Sequence, residues 1–197
     1  MNDRPFGDLQ EGSYGLIHAD NPHRYITRSK KGMGKSAERH YPTMSREELY
    51  ELPVWRLAAP NCAICFWTTS AQLPMQLDLM QHWGFAYKSY GGWAKRSPTW
   101  KRGCENPKWA FGTGYWEHSC LEVYLWGAIG APKIVSRSER NLIEAARREH
   151  SRKPEDIYEK CERMFPKVKK LDLFSRQSRR GWDNWGNERT KFDGEEG

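Results

Sequence analysis

The strongest constraint on this chain is a series of short apolar runs, each followed by a segment of a different period. Tyr14-Gly15-Leu16-Ile17-His18-Ala19 and Cys62-Ala63-Ile64-Cys65-Phe66-Trp67-Thr68 are almost continuously apolar, as strands covered on both faces are. Phe85 to Lys95 and Leu121 to Trp126 read as further strands, and Lys170-Leu171-Asp172-Leu173-Phe174 as a closing one. Helix signals fall between them. Ser45-Arg46-Glu47-Glu48 is a capping box that opens a helix to about Trp55. Ser70 to Trp83 has helical spacing through Leu73, Leu77 and Met80, with Gly84 as the stop. Ser138 to Arg148 reads as helical, and Pro154-Glu155-Asp156 opens a last helix with its acids at the positive end. This alternation predicts a three-layer α/β fold with a mostly parallel sheet. At 197 residues, one domain over 1–197 is expected, closing in a short polar tail after Trp185 that frays at its end.

The first strand runs into Asp20-Asn21-Pro22-His23. The carboxyl end of such a strand is where open α/β sheets bind ligands. His18 and Asp20 are two residues apart and share a face. With a further His they form the kit of a non-haem iron triad, but the rest of the chain lacks the strand pattern of a jelly roll. Cys62 and Cys65 lie three apart in a strand, facing opposite sides, and read as core rather than as a metal or redox pair. Five irregularly spaced Cys suit reduced thiols in a cytosol.

Charge and aromatic content point to the partner. The net charge is +7 with ten Trp, and the pI is near 9.2, which favours a polyanion. The charge is clustered in two loops. Residues 24–39 hold Arg24, Arg28, Lys30, Lys31, Lys35 and Arg39. Residues 97–112 interleave Trp100, Lys101, Arg102, Lys108 and Trp109, as a single-strand groove does; a surface loop with its Trp turned inward fits the same residues. Gly32-Met33-Gly34-Lys35 lacks the spacing of a phosphate-binding P-loop. No apolar run is long enough for a membrane span, and Met1 to Phe6 lack a signal-peptide core.

Asp20-Asn21-Pro22-His23 stands where N6-adenine methyltransferases carry Asp-Pro-Pro-Trp. His40-Tyr41-Pro42-Thr43-Met44 follows, then Trp93-Ala94-Lys95, then Gly112-Thr113-Gly114-Tyr115-Trp116 with Glu122. The C-terminal half adds Arg148 to Glu155, Leu171-Asp172-Leu173-Phe174-Ser175-Arg176, and Gly181 to Glu188. This ordered set, over about residues 6 to 193, resembles the MT-A family. That family includes the catalytic subunit of the eukaryotic mRNA adenosine methyltransferase. The length, and Phe6 to Gln10 before the first strand, look most like its phage and bacterial branch.

The resemblance implies a Rossmann-like fold, S-adenosylmethionine as cofactor, no metal, and N6-adenine methylation of nucleic acid, DNA before RNA, in a bacterial or phage-infected cytosol. Some members pair, which leaves a homo- or heterodimer open. By matching position, Asp20, Asn21, Pro22 and His23 are catalytic: Asp20 and the Asn21 carbonyl accept from the target amine, and His23 stacks on the base. Asp20 also approaches the cofactor's ammonium, Lys153 its carboxylate, Arg176, Asn187 and Glu188 its ribose and adenine, and Asp8 and Leu9 the adenine edge. His23, Tyr25, Lys30, Lys31, Lys95, Arg102, Tyr115 and Glu122 face the nucleic acid. Two motif letters depart from the family. Asn21 loses proline's fixed φ but keeps its carbonyl, and His23 stacks with less area than Trp and in a pH-sensitive way. A catalytically silent paralogue that binds cofactor or nucleic acid is the alternative.

Overall fold

The computed structural model describes residues 4–22, 43–105, 108–112, 114, 116–148 and 152–194. Seven strands form one sheet in the order β5-β3-β4-β2-β1-β6-β7. They are β1 (Tyr14–Ala19), β2 (Ala58–Thr68), β3 (Ala86–Arg96), β4 (Leu121–Ile129), β5 (Leu142–Ala146), β6 (Lys170–Leu173) and β7 (Trp182–Trp185). β4 pairs antiparallel with both neighbours, while every other pairing is parallel. The sheet is therefore mostly parallel, as the apolar runs predict. The reversal of β4 matters for the site. It brings the start of β4 to the edge where the other strands end.

Helices cover both faces. α1 (Arg46–Glu51) and α2 (Leu73–His82) lie on one, α3 (Glu155–Met164) on the other. Alternation along the central strands divides the core accordingly. Ile17, Cys62, Ile64 and Phe66 join the α1/α2 cluster, and Leu16, Ala63, Cys65 and Trp67 join the α3 cluster. Burial of Leu16, Ile17, Ile64 and Phe66 contributes roughly 1.5–3 kcal/mol each. Cys62 and Cys65 thus face opposite cores as free thiols, as expected for packing residues. Gly91 leaves room for the ring of Tyr124, its partner on β4, which a Cβ there would strike.

The first and last helices begin where their opening residues predict, whereas α2 begins at Leu73 rather than at Ser70 and has no side-chain cap. The Ser45–Glu48 capping box is formed, but α1 ends at Glu51 rather than near Trp55. Pro53 cannot continue it, and Val54–Arg56 turn as a 3-10 segment. Gly84 ends α2 at φ +84, with the Phe85 N–H on the Met80 carbonyl. Leu77 is exposed, and α2 buries Gln76, Leu79 and Met80 instead.

Two readings need correction. Residues 138–148 are not a helix but contain the edge strand β5. Pairing with β3, burial of Ile143, and a bond from the Trp93 indole N–H to the Ala145 carbonyl (3.0 Å) override the helix propensity of this segment. Lys170–Leu173 does not close the sheet, because β7 pairs beyond it. The residues after Trp185 are polar, as read, yet Phe192 is buried there. Among the described residues no helix is long and apolar enough to cross a membrane.

Candidate active site

Asp20 is the first residue beyond β1, and its N–H reaches the Leu173 carbonyl of β6 (3.5 Å). Its carboxylate does not stand alone. The Lys153 ammonium, just before α3, lies 2.9 Å from Asp20 and 2.6 Å from Glu122. Lys95, at the end of β3, pairs with the other side of Glu122. Two carboxylates and two ammoniums from four elements thus form one ion-pair network. The reversed β4 is what places Glu122 in it.

Lys153 is buried and Asp20, Glu122 and Lys95 are partly buried, and this desolvation acts on the groups. It pushes the Asp20 carboxyl up, and the single ammonium of Lys153 only partly offsets this beside the like charge of Glu122. Burial also pushes Glu122 up, but two ammoniums outweigh it and hold its carboxyl down to about 2. Burial disfavours the charged form of Lys153, yet its two carboxylates raise it above the ordinary lysine value. Lys153 is therefore cationic and committed to both acids.

Beneath the network lies a second polar chain inside the α3-side core. His18 Nδ1 meets Asp172 Oδ1 at 2.7 Å, and the Trp67 indole N–H donates to His18 Nε2 at 2.7 Å. The Trp67 bond requires Nε2 to be an acceptor, so the proton sits on Nδ1 and is donated to Asp172. Tyr158 O–H donates to the other Asp172 oxygen at 3.2 Å. Trp67 in turn presents its ring to the Lys153 ammonium at 5.2 Å. Both ring nitrogens of His18 are engaged, so neither is left to ligate iron, and the triad alternative loses its first ligand.

Asn21 is buried at the second motif position. Its Nδ2 donates to Gln76 Oε1 at 3.4 Å, and Gln76 Nε2 donates to the Trp67 carbonyl at 3.0 Å. The Asn21 Oδ1 is buried without a hydrogen-bond partner among the described residues. Pro22 accepts the Met44 N–H at 2.8 Å, which ties the motif to the entrance of α1.

Beside Asp20 opens a cleft. Phe174, Trp185 and Gly186 wall it, with Arg176, Asn187 and Glu188 on its rim. Phe174 has φ +64, a conformation that costs a non-glycine residue about 1–2 kcal/mol. It turns the chain sharply at the end of β6 and delivers Ser175 and Arg176 to the cleft. Gly186, at φ +155, allows the return strand to pass close, since a Cβ there would sit 3.0 Å from the Ser175 carbonyl oxygen. Arg176 Nε donates to Glu188 Oε2 at 2.9 Å, and its guanidinium lies 5.0 Å from the Phe192 ring centre.

The structure thus brings Asp20, Arg176, Asn187 and Glu188 to one cleft, with Lys153, Glu122 and Lys95 directly behind Asp20. Asp8 is exposed on the turn before β1, Leu9 packs against the core, and neither lines the cleft. Arg102 is exposed and 3.6 Å from Asp156. His23, Tyr25, Lys30, Lys31 and Tyr115 lie outside the described residues, as does the 24–39 loop. Sequence reasoning did not find Asp172, Tyr158, Trp67 or Gln76. The available signal was polar: a His and an Asp inside apolar strands must find partners.

The MT-A70 family matches residues 14–188. The type II methyltransferase M.MunI of Mycoplasma sp is 31% identical over 93% of this chain and 81% of its own. The N(6)-adenosine-methyltransferase MT-A70-like protein of Arabidopsis thaliana is 28% identical over 90% of this chain, but the match spans only 24% of that protein. A Drosophila melanogaster protein named N(6)-adenosine-methyltransferase MT-A70-like is 30% identical over 69% of this chain and 22% of its own. With the match running from the first residue of β1 through the cleft rim at Glu188, the chain belongs to the MT-A70 family.

Proposed function

We propose that this protein transfers the methyl group of S-adenosylmethionine to the N6 amine of adenine in nucleic acid, with DNA rather than RNA as substrate. The observation that carries the reading is Asp20. In a chain matched to the family over 14–188, its carboxylate stands at the end of β1, on a cleft, and is braced from behind by Lys153. DNA is favoured because the match to the bacterial type II methyltransferase runs over most of both chains, whereas the Arabidopsis match covers about a quarter of that protein.

The cleft suits the cofactor. Aromatic walls from Phe174 and Trp185 suit a nucleoside base, and the Arg176, Asn187 and Glu188 rim suits ribose hydroxyls and ring nitrogens. Lys153 is buried behind Asp20 and does not line the cleft, so its part is to hold the Asp20 carboxylate in place rather than to meet the cofactor's carboxylate. When bound, the cofactor supplies an electrophilic methyl group on its sulfonium.

The chain's own task is to present the amine. Adenine N6 is a poor nucleophile because its lone pair is delocalised into the ring. The Asp20 carboxylate and the Asn21 backbone carbonyl accept its two N–H groups, which favours a pyramidal nitrogen and aims its lone pair. The gain comes from orientation and placed charge. His23 stacks on a base that has left its helix. The five free cysteines fit work in the cytoplasm.

Tritiated S-adenosylmethionine with adenine-containing single-stranded DNA, duplex DNA and RNA tests the reading. Label in N6-methyladenine, greater in DNA, is expected. Cofactor binding with no transfer to any of the three would replace the enzyme with the silent paralogue.

A further inference from the structure

Residues 97–120 leave the sheet at the end of β3 and return at the start of β4, the edge that carries Lys95, Glu122 and Asp20. The described residues of this stretch, 97–105, 108–112, 114 and 116–120, form an arm rather than a loose connection. Trp109 bridges to Arg96 and Gly112 to Ser119, and the N–H groups of Ser97 and Ala110 donate to the carbonyls of Lys108 and Lys95.

The arm exposes large aromatic rings. Trp109 is 53% exposed, Phe111 70% and Trp116 91%. Rings of this size are highly buried on average. Two of them are braced from one side. The Arg96 guanidinium, itself paired with Glu144, lies 3.3 Å from the centre of the Trp109 ring. The His118 ring packs 4.0 Å from that of Phe111. Lys101, Arg102 and Lys108 are exposed on the same arm.

Braced rings with exposed faces, set among cations, match the chemistry of an unpaired nucleic-acid strand. Its bases stack on the rings and its phosphates meet the ammonium and guanidinium groups. A duplex keeps its bases stacked on one another and offers the rings nothing. Exposed Lys101 and Lys108 stand on the same arm as the aromatics, and Lys is depleted at protein interfaces, so a nucleic acid fits better than a protein partner. We infer that this arm is a stacking platform for unpaired bases beside the target adenine, so that the preferred substrate is a single or locally opened strand. The inference rests on the proposed methyl transfer to nucleic acid and names the form that substrate takes.

Fluorescence anisotropy with one adenine-containing oligonucleotide, single-stranded and as a duplex, tests it. The proteins are wild type, Trp109→Ala, Phe111→Ala and Trp109→Phe, with calorimetric binding of S-adenosylmethionine reporting an intact fold. The single strand should bind more tightly than the duplex. Each Ala variant should weaken single-strand binding by about fivefold to a hundredfold and duplex binding by less than about twofold, with Trp109→Phe restoring most of the loss. Equal affinity for the two forms, or Ala variants that bind like wild type, would overturn the platform even if methyl transfer is intact. Ala variants that change only self-association, read by light scattering, would make the arm a protein interface and also overturn it. A single-strand preference that depends on the rings, in a protein that transfers no methyl group, would remove the enzymatic reading and leave the platform standing.

Discussion

Replacing Lys153 by Met removes the one buried ammonium that touches both acids, at 2.9 Å from Asp20 and 2.6 Å from Glu122. Glu122 keeps Lys95; Asp20 loses its only ion-pair partner among the described residues. Breaking a buried pair by deleting one partner costs about 3–5 kcal/mol. Asp20 bears most of this, because burial already pushes its carboxyl up and Lys153 is the main opposing influence. Without Lys153 the carboxyl stays protonated to higher pH and cannot accept both ways at the amine. Methyl transfer by Lys153→Met should therefore fall at neutral pH and recover as pH rises. The acid limb of the rate profile should move upward by about one to three pH units, the range for a carboxylate that loses a cation at contact distance. Lys153→Arg keeps the charge and should leave the limb near its wild-type place. For stability, a group with a raised folded value contributes below its unfolded value and loses that contribution as pH rises. The stability deficit of Lys153→Met should thus be largest at and above neutral pH and shrink on acidification. Glu122 has the opposite sign: its contribution is full above 4.5 and is lost as pH falls toward about 2. Initial rates across a pH series and urea unfolding measure both effects. An acid limb that does not move, whatever the stability loss, would show that Lys153 does not keep Asp20 ionised.

Other consequences are simpler to read. His18→Phe leaves the Asp172 carboxylate and the Trp67 N–H without their shared partner, so urea unfolding should show a loss of roughly 3 kcal/mol, and a loss under about 1 would mean the buried chain is slack. Asn21→Pro breaks the long 3.4 Å contact to Gln76, removes an unpartnered buried oxygen and restores the fixed φ, so stability should stay within about 1 kcal/mol of wild type and transfer should be at least as fast; a tenfold slower variant would show that Asn21 is there for its side chain. Thiol titration of the native protein should label Cys104 first and Cys120 in part, while Cys62, whose thiol burial pushes up to about 12, reacts with Cys65 and Cys161 only after unfolding; five fast thiols would contradict the core described here.

The apolar runs made most of the sheet legible, because strands buried on two faces need continuous apolar sequence. The runs could not show direction. Nothing local in Leu121 to Trp126 distinguishes an antiparallel strand, yet the reversal of β4 is what joins Glu122 to Asp20. β5 was illegible for a related reason. Glu139 to Arg148 is rich in helix formers, and only its partner strand makes it extended. The cleft residues Arg176, Asn187 and Glu188 came from resemblance alone, and the left-handed Phe174 that delivers Arg176 has no sequence signature. The buried His18–Asp172 pair joins residues 154 positions apart, which periodicity cannot see.

The central claim is that the Asp20 carboxylate presents an adenine amine to a bound methyl donor. Its most direct test compares wild type with Asp20→Asn in transfer from tritiated S-adenosylmethionine to adenine-containing DNA, with the methylated base identified and cofactor affinity measured in parallel. The account predicts N6-methyladenine from the wild type and a fall of at least about a hundredfold in Asp20→Asn, with the cofactor still bound. Equal transfer by the two proteins, or label on another base, would contradict it.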